Sequence, residues 1–279
     1  MRRFEELAYE QTPMGELTLR RRHEPAIDDA VFEVKLGEQF LMSSLFTVAE
    51  EALSDLGLAA IDPDRRDLNV VVGGLGLAYT AVAALRDSRV GTLTVVDALP
   101  AVIDWHQRRL LPVSGLLVDD PRTRLVLADF FALVRAAPGA VSGPAPTAAQ
   151  TSAAQTSAAQ TSAAPTAAPT AAAPPPERWP LPLDAILLDV DHSPTFTLDP
   201  SHADLYTVDG LRRLAAHLAP GGVFALWSDD PPEESFLDAL RAVFFHVEGH
   251  TVAFDNPLTG GVSRNGVYVA VTTKAATSR

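Results

Sequence analysis

The sequence contains no cysteine among its 279 residues, which excludes disulfide bonds and thiolate metal sites. Lysine is almost as scarce, because only Lys35 and Lys274 occur among the 22 basic residues. The first residues, MRRFEELAYEQ, hold no apolar stretch, so we expect no secretory signal there. These absences predict a cytoplasmic protein.

Basic residues are fewer than acidic ones, 22 against 35, so the formal net charge is −13. Such an acidic chain is a poor partner for nucleic acid, whose phosphate backbone needs cations, although it would tolerate a cationic substrate. Residues 68–85 are nearly free of charge and long enough to imitate a membrane span. Three glycines interrupt this run, so we predict a buried strand and helix and no membrane partner.

Residues 69–97 carry the most informative motif, a strand, a glycine turn, a helix and a second strand that ends on an acid. The turn holds Gly73, Gly74 and Gly76, and the acid is Asp97. Glycines allow a sharp turn and a close approach of the backbone to a ligand. An acid at the tip of the second strand can accept both hydrogen bonds of a ribose diol, as in nucleoside-binding α/β folds. An ordinary turn without a ligand is the alternative.

The same turn disfavours ligands that contain phosphates. A dinucleotide fingerprint counted from Gly74 needs Gly or Ala at its sixth position, where this chain has Tyr79. A phosphate loop needs Gly-Lys-Ser or Gly-Lys-Thr, and the sequence contains neither. The turn therefore favours S-adenosylmethionine or a relative, and no residues have the spacing of a metal site.

Strands and helices alternate after the glycine turn, which predicts an α/β, Rossmann-like, doubly wound and mostly parallel sheet. We expect strands at 124–128, 185–188 and 223–227, and helices at 101–111, 208–218 and 233–244. Two final strands, 247–254 and 266–273, flank NPLTGGVSRN and predict a C-terminal antiparallel hairpin with a long loop. A parallel sheet closed in this way is typical of class I methyltransferases.

Two further segments complete the predicted organisation. Residues 1–60 read as a small N-terminal β module, with alternating apolar residues at 17–19 and 32–36, followed by a helix at 45–58. Residues 61–279 form the methyltransferase-like α/β domain. Within it, 137–178 consist almost wholly of Ala, Pro, Thr, Ser and Gln with a repeated QTSAA, which predicts a disordered insertion.

Most of the chain outside that insertion resembles the spermidine synthase (polyamine aminopropyltransferase) family. The resemblance rests on VVVGGLGLAYT, TLTVVDALPAVIDWHQ, DDPRTRLVLADFFALV, LDAILLDVDHSP and LYTVDGLRRLAAHLAPGGVFALW. It implies an N-terminal β domain, a methyltransferase-like domain, and transfer of an aminopropyl group from decarboxylated S-adenosylmethionine to a small-molecule amine, without a metal. It leaves open whether the protein acts as a homodimer.

The resemblance also implies roles for residues on the nucleoside side. The three glycines would line the aminopropyl end, Asp97 would hold the ribose where the family usually has Glu, and Asp129 with Phe130 would meet the adenine. On the reaction side, Asp189 stands at the position of the family's catalytic aspartate, and Tyr206 falls on a tyrosine that follows it.

The chain departs from the family pattern on the side of the amine. The family motif Asp-Ser-Ser-Asp-Pro becomes DVDHSP at residues 189–194, so the second aspartate, Asp191, is displaced. The family's Tyr-His-Glu patch is not visible in FLMSSLFTVAEEAL, residues 40–53, and Leu99 replaces an aspartate before the proline that follows the second strand.

The residues themselves suggest an acid–base role at the strand tips. An amine nucleophile must lose a proton, and Asp189 can accept it, unless this carboxylate only caps loop amides. Asp191, and Asp229 together with Asp230, either hold a second ammonium or form solvated turns. We interpret His192 as a loop residue, with a proton shuttle as the alternative, and His106 as a packing or surface residue.

Three functions remain open at this point. The first is an aminopropyltransferase or a relative that acts on another amine. The second is an S-adenosylmethionine-dependent methyltransferase on the same scaffold. The third is a nucleoside-binding protein without catalytic activity.

Overall fold

Residues 4–12, 15–136 and 182–274 are described by the computed structural model of the chain. The predicted insertion, 137–178, lies outside these residues. Within the described part, no helix combines the length and the apolar character that a membrane crossing requires.

A four-stranded antiparallel sheet opens the chain. Its strands lie in sequential order: β1 (Phe4–Thr12), β2 (Gly15–Glu24), β3 (Asp29–Leu36) and β4 (Gln39–Ser43). Only the two central strands were evident in the sequence, because β1 is partly exposed and a register shift between Glu6 and Ala8 breaks its alternation. Helix α1 (Val48–Ala59) follows and begins later than predicted, with Val48 exposed to solvent.

The second sheet has seven strands and contains the glycine motif. Its elements in chain order are β5 (Leu68–Gly73), α2 (Tyr79–Arg86), β6 (Val90–Asp97), α3 (Pro100–Gln107), α4 (Ser114–Val118), β7 (Thr123–Leu127), α5 (Phe130–Arg135), β8 (Leu183–Leu188), α6 (Val208–Ala215), β9 (Leu218–Ser228), α7 (Glu234–Arg241), β10 (His246–Asn256) and β11 (Gly261–Val271). A short 3₁₀ helix, Pro200–Tyr206, lies between β8 and α6.

The strand order is β10-β11-β9-β8-β5-β6-β7. The five strands from β9 to β7 are parallel, and β11 and β10 run antiparallel to their neighbours. Winding proceeds outward from β5 in one direction and from β8 in the other. The predicted fold class, a doubly wound and mostly parallel sheet with an N-terminal β module and a C-terminal hairpin, is therefore confirmed.

Burial on both faces explains the uninterrupted apolar strands. Val70 and Val72 of β5 face one apolar cluster, whereas Val71 between them faces the other. Leu17 and Leu19 of β2 are fully buried in the same cluster as Val70. The N-terminal sheet thus packs against the α/β unit through a continuous apolar core, which holds β4 over the carboxyl ends of the parallel strands.

The C-terminal hairpin differs from the prediction in its loop. The segment predicted as a ten-residue loop is mostly strand, because Asn256 pairs with Gly261 and the ladder continues from there. The turn is tight since the side chain of Asn256 accepts hydrogen bonds from the amides of Leu258 and Thr259. As a result, Arg264 lies in β11.

Candidate active site

The glycine turn lies where the winding of the sheet reverses, between β5 and β8. The amide of Asp189 donates to the carbonyl of Gly73 at 2.8 Å. Gly74 has a φ of +94°, and a Cβ there would lie 2.0 Å from the carbonyl oxygen of Asp189. Only glycine fits this contact, which brings the two strand tips together at the usual ligand position of such sheets.

Two cavities open on either side of this junction. Cavity A, about 300 Å³, lies over the glycine turn and the tips of β6 and β7. Cavity B, about 430 Å³, lies between the N-terminal sheet, α1 and the C-terminal hairpin. Both are lined by Leu41 and Met42 of β4, by Gly76, and by Asp189. The two cavities therefore meet at the tip of β8.

Five of the six residues predicted to bind a nucleoside line cavity A. They are Gly74, Gly76, Asp97, Asp129 and Phe130. The sixth, Gly73, is not among the described residues that line either cavity. A Cβ at Gly73 would lie 2.8 Å from Leu188 and from Phe130, so this glycine lets the floor of cavity A pack closely.

Met42 forms part of the roof over the turn. A Cβ on Gly76 would lie 2.7 Å from its sulfur, so the backbone of the turn and the N-terminal sheet are in direct contact. Beneath the turn, Nε2 of His106 lies 2.9 Å from the carbonyl oxygen of Gly76, and Nδ1 lies 3.0 Å from Oγ of Ser114. His106 is fully buried, and burial lowers its pKa to about 4. The neutral ring supports the turn, in agreement with its interpretation as a packing residue.

The Asp97 carboxylate is held by the backbone of two loops. Its oxygens accept hydrogen bonds from the amides of Leu75 at 3.0 Å and Leu99 at 2.8 Å. Burial raises the pKa of Asp97, and the backbone hydrogen bonds oppose this rise. Each carboxylate oxygen can accept more than one hydrogen bond. The group is thus fixed in orientation and can still accept hydrogen bonds from a diol in cavity A.

Asp129 and Phe130 lie at the far end of cavity A. Asp129 caps α5 by accepting a hydrogen bond from the amide of Ala132 at 3.1 Å, and it lies 3.5 Å from Arg135. Phe130 is buried and meets Phe131 edge to face. A carboxylate beside an aromatic ring can accept from an amino group and pack against a flat heterocycle.

Asp189 is the most distinctive carboxylate of the site, because it borders both cavities. The Thr80 hydroxyl donates to its Oδ2 at 2.6 Å. Burial raises the pKa of Asp189 to about 6, and the hydrogen bond from Thr80 opposes part of that rise. A carboxyl with a pKa near neutrality is suited to exchange protons with a substrate.

Cavity B has a second carboxyl with a raised pKa, which sequence reasoning missed. Glu50 of α1 faces this cavity, and burial raises its pKa to about 8, with further contributions from the charges of Asp189, Glu51 and Asp229. The signal was present in the sequence, since Glu50 precedes Leu53 and Ser54 by three and four residues. Leu53 and Ser54 are fully buried, and residues three or four apart lie on the same face of a helix, so Glu50 lies on the inward face of α1.

Asp229 and His192 line the same cavity from the tips of β9 and β8. Asn265 donates to Oδ1 of Asp229 at 3.0 Å, and the amide of Asp229 donates to the carbonyl of His192 at 2.7 Å. The His192 ring stacks on Phe196, and its Nε2 lies 3.0 Å from Nε2 of Gln39. Asp229 and Asp230 are both exposed. Of the two, Asp229 lines cavity B, and Asp230 is not among the described residues that line it.

Asp191, predicted to bind the substrate, also lines cavity B, but its oxygens are already engaged. It is 1% exposed and accepts hydrogen bonds from the Tyr206 hydroxyl at 2.7 Å, His202 Nδ1 at 2.8 Å and the Leu198 amide at 2.8 Å. Burial and the nearby Asp191 raise the pKa of Tyr206. Tyr206 is not among the described residues that line either cavity. This arrangement favours a structural role for the pair at the base of the loop after β8.

His202, which sequence reasoning did not single out, connects this cluster to cavity A. Its ring stacks on Phe131 with centroids 3.7 Å apart and borders cavity A.

Within the described ranges, no three or more His, Cys, Asp or Glu side chains are grouped so that they could hold a metal ion.

Aromatic side chains also line cavity B. They are Phe40, Phe46, Tyr79, Trp227 and Phe254. Phe46 and Phe254 are in contact, with ring centroids 5.5 Å apart. Apolar walls around a few carboxylates are suited to a small molecule with an aliphatic segment and a cationic end.

No family model matches the chain. No curated protein matches its sequence. Among solved structures, a spermidine synthase in complex with the transition-state analogue AdoDATO matches with a TM-score of 0.62 and 15% identity, over 97% of this chain and 74% of that chain.

Two further structures give the same result. Spermidine synthase from Thermotoga maritima matches with a TM-score of 0.62 and 14% identity, over 97% of this chain and 73% of that one. A probable spermidine synthase from Corynebacterium glutamicum matches with a TM-score of 0.56 and 15% identity, over 96% and 79%. The chain therefore has the fold of these three structures, at 14–15% sequence identity.

Proposed function

We propose that the protein is an aminopropyltransferase that uses decarboxylated S-adenosylmethionine and a small-molecule amine. The observation that carries this proposal is the junction of the two cavities at Asp189. Cavity A offers a glycine turn, a diol acceptor at Asp97 and an aromatic floor. Cavity B offers the carboxylates of Glu50, Asp189 and Asp229 within aromatic walls.

The reaction needs a nucleophile and a sulfonium carbon held in line. The nitrogen lone pair of the amine attacks the aminopropyl carbon bonded to sulfur, so a C–N bond forms and the C–S bond breaks. The electron pair of that bond remains on sulfur, which leaves as the neutral thioether methylthioadenosine. Alignment of two bound reactants can supply roughly 7–11 kcal/mol of the barrier reduction.

The proton released by the amine passes to Asp189 in this scheme. Its side chain is positioned by Thr80 and borders both cavities. Glu50 and Asp229 hold a distal ammonium of the acceptor. The raised pKa values of Glu50 and Asp189 mean that ionising both carboxyls in the free protein costs free energy, and a bound ammonium offsets that cost.

The decisive experiment identifies the product formed from each sulfonium donor. The protein is incubated with decarboxylated S-adenosylmethionine and a panel of di- and polyamines, and methylthioadenosine is measured by chromatography. The proposal predicts its formation in proportion to the aminopropylated amine. Formation of S-adenosylhomocysteine from S-adenosylmethionine alone would favour a methyltransferase. Binding of the nucleoside without either product would favour a protein that has no catalytic activity.

A substitution at the junction tests the role of Asp189. Asp189→Asn keeps the size of the side chain and an acceptor for Thr80 but cannot take a proton. We expect kcat to fall by at least about tenfold with little change in nucleoside affinity, as for a group that acts in the transition state. Asp238→Asn removes one exposed carboxylate outside both cavities and is the matched control. Unchanged turnover in Asp189→Asn would refute this role.

A further inference from the structure

A fully buried histidine lies beneath the glycine turn, at the residue that borders both cavities. His106 of α3 and Ser114 of α4 are both without solvent exposure. Nε2 of His106 lies 2.9 Å from the carbonyl oxygen of Gly76, and Nδ1 lies 3.0 Å from Oγ of Ser114. Both ring nitrogens therefore have polar partners, and one of these partners is the backbone of the turn.

The position of the ring proton follows from the chemistry of the two partners. A carbonyl oxygen can only accept a hydrogen bond, so Nε2 of His106 carries the proton that reaches Gly76. Burial lowers the pKa of His106 to about 4, so the ring is neutral near neutral pH and Nδ1 is an acceptor. The Ser114 hydroxyl then donates to Nδ1, which selects the tautomer that places a donor under the turn.

Gly76 needs a partner of this kind because its backbone is permissive. Its φ is +44°, and glycine adopts positive and negative φ about equally well, so the peptide that follows it can reorient at little cost. A side chain could not restrict this freedom, since a Cβ at Gly76 would lie 2.7 Å from the sulfur of Met42. The hydrogen bond from His106 fixes the carbonyl of this peptide instead.

The backbone of Gly76 also connects His106 to the predicted ribose acceptor. Burial raises the pKa of Asp97, and the amide of Gly76 is one of three backbone donors that oppose this rise. Gly76 thus donates to Asp97 through its amide and accepts from His106 through its carbonyl. Reorientation of the peptide after Gly76 would leave the imidazole N–H unsatisfied in the interior, which is costly.

We propose that His106 is a positioning residue for the nucleoside, whose Nε2–H holds the Gly76 carbonyl and keeps the glycine turn in the conformation that binds the ligand. Ser114 acts through His106 by fixing its tautomer. This inference rests on the proposed function, because that function names the nucleoside. A turn that is ordered before binding improves affinity, since the ligand does not have to order it.

Two substitutions separate the N–H of His106 from the volume of its ring. His106→Phe keeps a planar ring and removes the donor, whereas His106→Gln restores an N–H donor at a similar reach. Calorimetric titration with methylthioadenosine measures the dissociation constant. We expect it to rise by at least about tenfold in His106→Phe and to return to within about threefold of the parent in His106→Gln, the scale of one hydrogen bond.

His217→Phe is the matched control for the loss of a buried histidine. His217 is 2% exposed, its Nε2 lies 3.3 Å from the carbonyl oxygen of Val134, and it is not among the described residues that line either cavity. Its nucleoside affinity should match that of the parent even if its Tm falls. Parent-like affinity in His106→Phe, no recovery in His106→Gln, or equal weakening in His217→Phe overturns the inference.

Hydrogen exchange of the ligand-free protein tests the inference separately from the proposed function. The amides of the turn are bonded, as Gly74 is to Val96 and Ala78 to Leu75, so their exchange reports local opening. Peptides that cover residues 73–79 should exchange faster in His106→Phe than in the parent, His106→Gln and His217→Phe. If the parent binds no nucleoside, the proposed function fails, and equal exchange in all four proteins would overturn the inference as well.

A second measurement applies if His106→Phe does not fold. Ser114→Ala removes only the donor to Nδ1, so it should raise the exchange of the same peptides, and ¹⁵N NMR of the parent should place the His106 ring proton on Nε2. A proton on Nδ1 in the parent, or exchange in Ser114→Ala that equals that of the parent, overturns the inference.

Discussion

The Thr80 hydroxyl lies 2.6 Å from Oδ2 of Asp189 and connects the first turn of α2 to the tip of β8. This hydrogen bond lowers the pKa of Asp189, whereas burial raises it. Thr80, in the helix after the glycine turn, thus adjusts the acidity of Asp189 at the end of β8, the neighbour of β5 in the sheet. The relationship could not be read from the sequence, because 109 positions separate the two residues.

The Thr80–Asp189 hydrogen bond predicts a change in pH dependence. Thr80→Val removes a donor that favours the ionised carboxylate, so the pKa of Asp189 rises. If Asp189 acts as the base, the acidic limb of the kcat profile moves to higher pH. A shift of roughly half a pH unit or more is expected on the usual scale of one hydrogen bond. Thr80→Ser retains the donor and is the control, and coincident profiles for all three proteins would contradict the prediction.

The position of Asp97 in cavity A leads us to predict that its side chain contributes to nucleoside affinity. Asp97→Ala removes the diol acceptor and the acceptor for the amides of Leu75 and Leu99. We expect nucleoside binding to weaken by roughly 1.5–3 kcal/mol, the size of a lost charged hydrogen bond. Calorimetric titration with methylthioadenosine measures the effect. Asp97→Asn keeps part of the acceptor capacity and should lie between the parent and the alanine variant.

The Asp97 prediction depends on the fold of the variant, so circular dichroism and a melting curve accompany the titration. Asp238→Ala, which lies outside both cavities, controls for the loss of one negative charge. A folded Asp97→Ala variant with the affinity of the parent would show that Asp97 does not hold the ribose.

The raised pKa of Glu50 allows a prediction of how the stability of the free protein depends on pH. Its pKa is raised from 4.5 to about 8 in the fold, so its contribution to stability is full below about pH 4.5 and is lost as the pH rises to about 8. Glu50→Gln removes this loss. We expect its Tm to exceed that of the parent at pH 8 by at least ~2 °C, the shift expected for about 1 kcal/mol.

The sign of the Glu50 effect is checked by its pH dependence. The Tm values of the parent and Glu50→Gln should converge as the pH falls toward 4.5, because Glu50 is then protonated in both the folded and the unfolded chain. Glu234→Gln, an exposed residue on α7, should show no such trend. A Tm difference that is constant across the pH range would mean that the carboxyl of Glu50 is not responsible.

Tyr206 was predicted to be catalytic, and its buried position suggests a test. Tyr206→Phe deletes one of three donors to the buried carboxylate of Asp191. We expect a loss of about 1–3 kcal/mol in the free energy of unfolding, as for an unsatisfied buried group, and less than a threefold change in kcat. Denaturant unfolding and steady-state rates measure the two quantities. An unchanged stability with a tenfold lower kcat would instead support catalysis.

The predicted nucleoside side of the site follows from local sequence because its parts are close together in the chain. The glycine turn and Asp97 belong to one strand–helix–strand unit, and a parallel sheet brings consecutive strand ends to the same edge. Asp129 and Phe130, which were predicted to meet the adenine, follow β7 and obey the same rule. Predicting Gly73 as a ligand-binding residue rested on its place in the motif. In the structure, the absence of a side chain at Gly73 lets Leu188 and Phe130 pack closely.

The amine side depends on contacts between distant segments. Glu50 reaches cavity B because the N-terminal sheet and α1 pack on the same apolar core as β5. Ser263 and Asn265 reach it because the hairpin turn is short and its strands extend beyond the predicted ends. Asp191 has the same side chain as Asp189 two residues away, yet three donors surround it, so its surroundings differ for reasons that no spacing reveals.

The sequence by itself determined the α/β fold, the position of the glycine turn and the acids at the strand ends, because the period of apolar residues and the requirement for glycine act over a few residues. Only the tertiary structure decided which acids share a cavity and which one is buried among donors. Burial and the distances between charges control pKa values and binding, and both are set by the packing of segments far apart in the chain.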